Sequence, residues 1–133
     1  MKKLSQYGIR AARLLMAAVF LLNGFGIIDQ SIPAKELIEH GAPGALVPVI
    51  MWSGRGLELV AGFALILGFV PQLAALALLA FLVQATLVAH SFWKSAGTPA
   101  FQGQLINFSK NLAICGGLLF IASTKAKPES QGE

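Results

Sequence analysis

The sequence is poor in the residues that most chemistry needs. Its 133 residues include one cysteine, two histidines and one tyrosine, and charged residues make up only 12%. A soluble domain carries about 25% charged residues, and a small chain has the most surface per unit volume to cover. So little charge cannot clothe a water-facing surface, which excludes a soluble monomer and a disordered chain. The single Cys115 permits no intramolecular disulfide, and no CxxC pair is present for dithiol exchange. His40 and His90 hardly supply paired axial ligands for a haem. No HxxxH, HExxH or Cys/His spacing marks a metal site. Gly54-Arg55-Gly56 is too short for a phosphate loop, and no nucleophile triad suggests itself. The chain therefore carries no visible redox centre of its own. Net charge is +4, but the basic residues flank apolar runs instead of forming a patch, so nucleic acid is not an expected partner.

What the chain has in quantity is apolar length. Hydrophobic residues make up 56%, and mean hydropathy is +0.70. A membrane helix needs roughly 20 mostly apolar residues at 1.5 Å per residue. Four stretches qualify, at about 9–28, 46–69, 71–93 and 104–123. The sequence predicts an all-α integral membrane protein, a four-helix antiparallel bundle forming one domain over 1–133, with a polar tail at 124–133. Lys2 and Lys3 ahead of an apolar run resemble a signal peptide, but no A-x-A-like site follows, so the run reads as an uncleaved first helix. Pro33 near a helix start and Gly41 just past its end bracket a short interfacial helix between spans one and two. Pro71 suits the first turn of the third span, and the short link before it predicts a tight hairpin.

Orientation follows from the basic residues. Lys2, Lys3, Arg10, Arg13, Lys125 and Lys127 lie towards the termini, against Lys35 and Lys94 in the loops. That bias places both termini in the cytoplasm and the chain in the cell (plasma or inner) membrane, in contact with the bilayer. Trp52 and Trp93 then fall near the outer interface and Tyr7 near the inner one.

Charged and amide side chains inside such spans are expensive and should face the bundle interior. Arg55 and Glu58 are three residues apart and can meet on one helix face. Gly54, Glu58 and Gly62 form a row whose small members admit a neighbouring helix. Counting along the spans puts Asn23, His90, Lys110, Arg55 and Glu58 roughly 5–18 Å from the outer ends, with Glu58 the deepest. Four helices are thus expected to converge in the outer half, leaving little beyond Gln84 for the inner half. Two readings stand side by side. A Glu58–Arg55 pair joined by Lys110 could pin helix packing and register. Alternatively the cluster is a ligand or proton site, with Glu58 and His90 as candidate catalytic, proton-exchanging residues. Arg55, Lys110, Asn107, Trp52 and Trp93 would then form a candidate ligand-binding pocket. Cys115 beside Gly116-Gly117 reads as a small packing residue. Phe92, Phe101 and Phe108 fit core, lipid contact or a flat apolar pocket.

At these residues the sequence resembles the DoxX family of small four-helix membrane proteins. Arg13 with Asn23-Gly24 resembles the family's opening helix, and Gly41-Ala42-Pro43 resembles the G-x-P before its second. Leu57-Glu58-Leu59-Val60-Ala61-Gly62 and Leu65-Ile66-Leu67-Gly68 resemble its Glu-centred second helix. The most specific segments are His90-Ser91-Phe92-Trp93 and Asn107-Phe108-Ser109-Lys110-Asn111-Leu112-Ala113-Ile114 with Gly116-Gly117. Gln72 departs from an arginine that many relatives carry. The resemblance covers nearly the whole chain. It implies quinone-linked redox support, because the family takes its name from a subunit associated with a terminal quinol oxidase, and a related subunit belongs to a thiosulfate:quinone oxidoreductase.

Residues and resemblance together give three expectations. The first is an accessory subunit that binds a quinone or similar amphiphile and supports a redox partner. As an oxidoreductase subunit it would hold no intrinsic cofactor. Arg55 or Lys110 would bond the head-group oxygen, Glu58 or His90 would exchange protons, and Trp52 or Trp93 would stack. The second is a non-enzymatic scaffold or assembly subunit whose buried ions fix helix register. The third is a small-solute or proton pathway. Gly-rich helix faces also suit a homo-oligomer or a partner subunit.

Overall fold

Lipid offers no hydrogen bonds, so an apolar run in a membrane must satisfy its backbone within itself, as a helix does. The computed structural model describes the backbone of residues 2–124 and the side chains of residues 6–124. Its helices are α1 (Lys2–Gly24), α2 (Ser31–Glu39), α3 (Val47–Leu67), α4 (Pro71–Ala89) and α5 (Phe101–Ser123), with a 3₁₀ turn at Phe92–Ser95. No strand occurs among the described residues, as the all-α expectation requires. The charge-based orientation rests partly on the side chains of Lys2 and Lys3 and on Lys125 and Lys127, which lie outside the described residues, as does the polar tail beyond Thr124.

Among the described residues, three helical segments are long and apolar enough to cross a membrane: Val47–Leu67, Pro71–Ser95 and Phe101–Ser123. Helix α1 spans 23 residues but carries Arg10 and Arg13 in its first half, leaving Leu14–Leu22 as its unbroken apolar run. Its end also differs from expectation. The helix stops at Gly24 instead of continuing to Ile28. Gly26 adopts φ +73°, while Gly26 N–H donates to Asn23 O at 2.9 Å and Ile27 N–H to Leu22 O at 3.0 Å. This left-handed glycine closure satisfies carbonyls that a helix end otherwise leaves bare. Gly68, at φ +74°, ends α3 in the same way, two residues short of the expected limit. The third expected span, to Trp93, leaves α-helical geometry at His90 and finishes as the 3₁₀ turn. The fourth begins at Phe101, earlier than expected.

Contacts between helices run antiparallel. Asn23 and Gly24 of α1 meet Arg55, Glu58 and Leu59 of α3, Leu21 meets Gly62, and Arg13 reaches Gly68 at the far end. Helices α4 and α5 are tied by Asn111 Nδ2 donating to Thr86 Oγ1 at 3.0 Å and Gln72 Nε2 donating to Thr124 O at 3.1 Å. Gly54 of α3 faces Phe81 of α4. Helix α2 packs on α3 and α4, whereas α1 and α5 meet lightly, with Met16 against Gly117. Ahead of α2, the exposed Asp29 accepts the Ser31 backbone N–H and then its hydroxyl, which hold its carboxyl below the usual carboxylate range.

The core is small and mixes alanines with a few large side chains: Ala17 and Phe20 from α1, Ala61 and Leu65 from α3, Ala74, Ala75, Leu78 and Leu82 from α4, and Leu118 from α5. Many other large apolar side chains point outward, among them Leu15 (75% exposed), Leu67 (78%) and Phe120 (74%). Such a distribution suits lipid, where close backbone approach, and not exclusion from water, drives packing.

The Gly54, Glu58 and Gly62 row divides between two neighbours, Gly54 against α4 and Gly62 against α1. At Gly24 an added Cβ would stand 2.7 Å from a Leu59 side-chain carbon and 3.1 Å from the Arg55 carbonyl oxygen. At Gly56 a Cβ meets nothing within 4 Å. Gly24→Ala should therefore lower stability by about 1–2 kcal/mol through overpacking. Gly56→Ala, gaining helix propensity at no steric cost, should raise it slightly. Thermal unfolding in detergent, followed by circular dichroism, checks the opposite signs.

Candidate ligand chamber

Glu58 sits a little past the middle of α3 and is 2% exposed. A buried carboxylate needs donors, and the antiparallel pairing of α1 with α3 supplies Asn23. Its Nδ2 donates to both Glu58 carboxylate oxygens, each at 2.7 Å. The Asn23 carbonyl oxygen in turn accepts Gln30 Nε2 at 2.7 Å, and the same Gln30 nitrogen donates to Ile28 O at 2.8 Å. The chain of bonds fixes the sense of the Asn23 amide: oxygen toward Gln30, nitrogen toward Glu58.

Arg55 does not pair with Glu58. The ion pair among the described residues is Lys35–Glu39 at 3.6 Å on α2, with the Glu36 carboxylate 4.0 Å from the His40 ring at the end of that helix. Arg55 Nε donates to Gly24 O at 3.0 Å, and its guanidinium lies 4.4 Å from the centre of the Trp52 ring. The carbonyls at a helix C-terminus carry partial negative charge and attract a cation, and an aromatic face adds to that pull. Together they draw the guanidinium toward the end of α1 and away from the carboxylate one turn along α3.

A cavity of about 330 Å³ opens over Glu58, at the low end of the range of about 300–1,000 Å³ typical of small-molecule sites. Phe20 and Val19 of α1, Met51 and Ile50 of α3, and Phe81 and Leu82 of α4 give it apolar walls. Pro33 and Leu37 of α2 close one side, and Arg55, Gln84 and Asn111 add polar groups. Since α1 and α5 meet only lightly yet both line the cavity, it lies along the seam between them. Helix α2 is fastened there by His40. Its Nδ1–H donates to Glu36 O at 2.8 Å, leaving Nε2 to accept the Lys94 ammonium at 2.6 Å.

The expected four-helix convergence is thus narrower than predicted. Asn23, Arg55 and Glu58 come together. His90 does not line the chamber: its Nδ1 bonds Gln104 Oε1 at 2.9 Å, tying the end of α4 to α5. Asn107 and Lys110 are exposed on α5. Trp93 is exposed and stands edge-on to Phe92 and Phe108, while Phe101 and Phe108 stand edge-on to Phe92, so this aromatic group packs on itself. Trp52 borders a smaller recess with Gln30 and Arg55. Gln84, expected in the inner half, lines the chamber near the α2 end because α4 stops at Ala89. Sequence reasoning missed Gln30, Thr86 and the α2 residues. Gln30 had one signal, its position in the link that Gly26 turns back over α1.

Asn23→Leu should strand the Glu58 carboxylate and lower stability by roughly 2 kcal/mol. Adding Glu58→Leu should restore most of that loss, giving a positive coupling in a double-mutant cycle of unfolding midpoints.

The DoxX family model matches residues 8–91. The chain is 31% identical over 125 residues to the inner membrane protein YqjF of Escherichia coli (strain K12), covering 93% of this chain and 88% of that protein. It is 26% identical over 118 residues to the inner membrane protein YphA of the same organism, covering 85% and 79%. No solved structure matches the chain.

Proposed function

The chain belongs to the DoxX family of membrane proteins, and from that premise we propose that it is an accessory subunit that holds a quinone-type amphiphile in the Glu58 chamber and serves a redox partner. The supporting observation is a carboxylate 2% exposed at the edge of an apolar cavity of about 330 Å³. The residues present fit the two ends of such a head group. Glu58 accepts hydrogen bonds and can receive a proton at a carboxylate oxygen. The free guanidinium N–H groups of Arg55 can donate to an oxygen. Phe20, Phe81 and Leu82 exclude water from a ring, and the α1–α5 seam gives an acyl or isoprenoid tail a way to the lipid. A bound quinol would supply two electrons, to pass to a centre on another subunit, and two protons, to be taken up one after the other by Glu58 with release to solvent in between. Asn23 and Gln30 would hold the carboxylate in place throughout.

In this reading α1 crosses the membrane with α3, α4 and α5, its arginines reaching the interface along their stems. Both termini are cytoplasmic and the membrane is the inner or plasma membrane. A fluorescent protein fused to the C-terminus should fluoresce in cells. A cysteine at Ala96 should react with a membrane-impermeant maleimide added outside.

The scaffold reading is favoured by one observation, that Asn23 already satisfies both Glu58 oxygens and stitches α1 to α3. Mass spectrometry of the organic extract from gently solubilised protein separates the two. Near-stoichiometric quinone that falls at least tenfold in a still-helical Glu58→Gln variant supports the chamber. Trace quinone in both proteins, with a lowered unfolding midpoint in the variant, supports the scaffold.

A further inference from the structure

Helix α5 packs against α4 and the 3₁₀ turn along one side. Elsewhere on it Gly103, Asn107 and Lys110 are all exposed, and their spacing of four and three residues puts them on one face. Lys110 lies roughly 13 Å along the helix from Phe101 at 1.5 Å per residue, deep in a hydrocarbon core about 30 Å thick. Neither Lys110 nor Asn107 makes a side-chain hydrogen bond or ion pair among the described residues, although their neighbours Ser109 and Asn111 both do.

An ammonium facing acyl chains at a helix centre costs about 2.5–3.5 kcal/mol. Lys110 alone could lean its stem toward the headgroups. Asn107 is too short to do so, and its amide one turn away stays in hydrocarbon unbonded. Gly103 adds an independent observation. A Cβ there would meet nothing of this chain within 4 Å, so packing within the chain does not explain glycine at that position. Glycine inside a helix costs about 0.5–1 kcal/mol relative to alanine, and its usual return in membranes is the close approach of another helix.

We propose that the Gly103–Asn107–Lys110 face of α5 seats a transmembrane helix of a different protein, one that carries a carboxylate at the depth of Lys110. Charge complementarity selects this occupant over a second copy. The carboxylates of the described chain are Glu58, buried in its own chamber, and Asp29, Glu36 and Glu39 in the α1–α2 link and α2. None can reach Lys110 of a neighbouring copy at mid-membrane depth. The partner's carboxylate accepts from the ammonium, and Asn107 bonds its backbone or a side chain one turn away. This inference uses no part of the chamber, and holds whether or not a quinone binds there.

The test uses the full chain, donor-labelled, in zwitterionic phosphatidylcholine vesicles, with acceptor-labelled synthetic Leu/Ala transmembrane peptides carrying one central Asp or Asn. Energy transfer should show the Asp peptide binding at least tenfold more tightly than the Asn peptide. Lys110→Met should abolish the difference, Lys110→Arg should keep it, and Asn107→Leu should weaken binding of both peptides. Equal binding of the two peptides, or no binding of either, overturns the proposal. Self-association that is lost in Lys110→Met also overturns it, by making the occupant a second copy.

Discussion

A carboxylate sealed between membrane helices has to be met by donors from its own chain or it unsettles the fold around it, and the rest of this structure is arranged about how Glu58 is met. Asn23 gives both of its amide hydrogens' worth of bonding to the two oxygens, which sets the register of α1 on α3. Once that register is fixed, Gly24 comes under Leu59, Leu21 under Gly62, and Arg13 arrives at the end of α3. The carbonyl of Gly24 is then available to Arg55. One polar contact therefore determines which small residues must be small, and it removes the nearest cation from the carboxylate it was expected to neutralise.

The chamber follows from the same pairing. Helix α1 is held to α3 at the end where α2 lies, while its contact with α5 is confined to a light touch at Met16 and Gly117. Away from that touch, α1 and α5 leave space that no side chain of the small core fills. Helix α2 spans it, anchored through Gln30 at one end and His40 at the other. Polar groups that would be costly in a lipid-filled gap instead bond one another along its edge.

Much of the fold was legible because its rules are local. Lipid forbids unsatisfied backbone, so apolar runs become helices, and Pro33, Gly41 and Pro71 mark ends by their own stereochemistry. The depth of Asn23, Arg55 and Glu58 could be counted along the chain, and these three do meet. What could not be counted was angle. Helix α5 is apolar or small over most of its circumference, so nothing in its pattern distinguished the side facing α4 from the side carrying Asn107 and Lys110. The direction of Arg55 depended on a backbone carbonyl exposed by the early end of α1 at Gly24, which no side-chain pattern reports. His90 was taken by Gln104, a residue the expected span boundary had placed at the very start of the last helix.

The link between α3 and α4 is three residues long, Gly68 to Val70, and Val70 is held at φ +39° ahead of Pro71. A helix turns by about 100° per residue. One residue more or fewer in this link, absorbed by either helix, would swing Ala74, Leu78 and Leu82 out of the core and carry Phe81 off Gly54. The segment at 96–100, by contrast, can change length without turning either helix it joins. Length variation among descendants of this chain is therefore kept by geometry away from the α3–α4 corner. There the number of residues matters more than which residues they are.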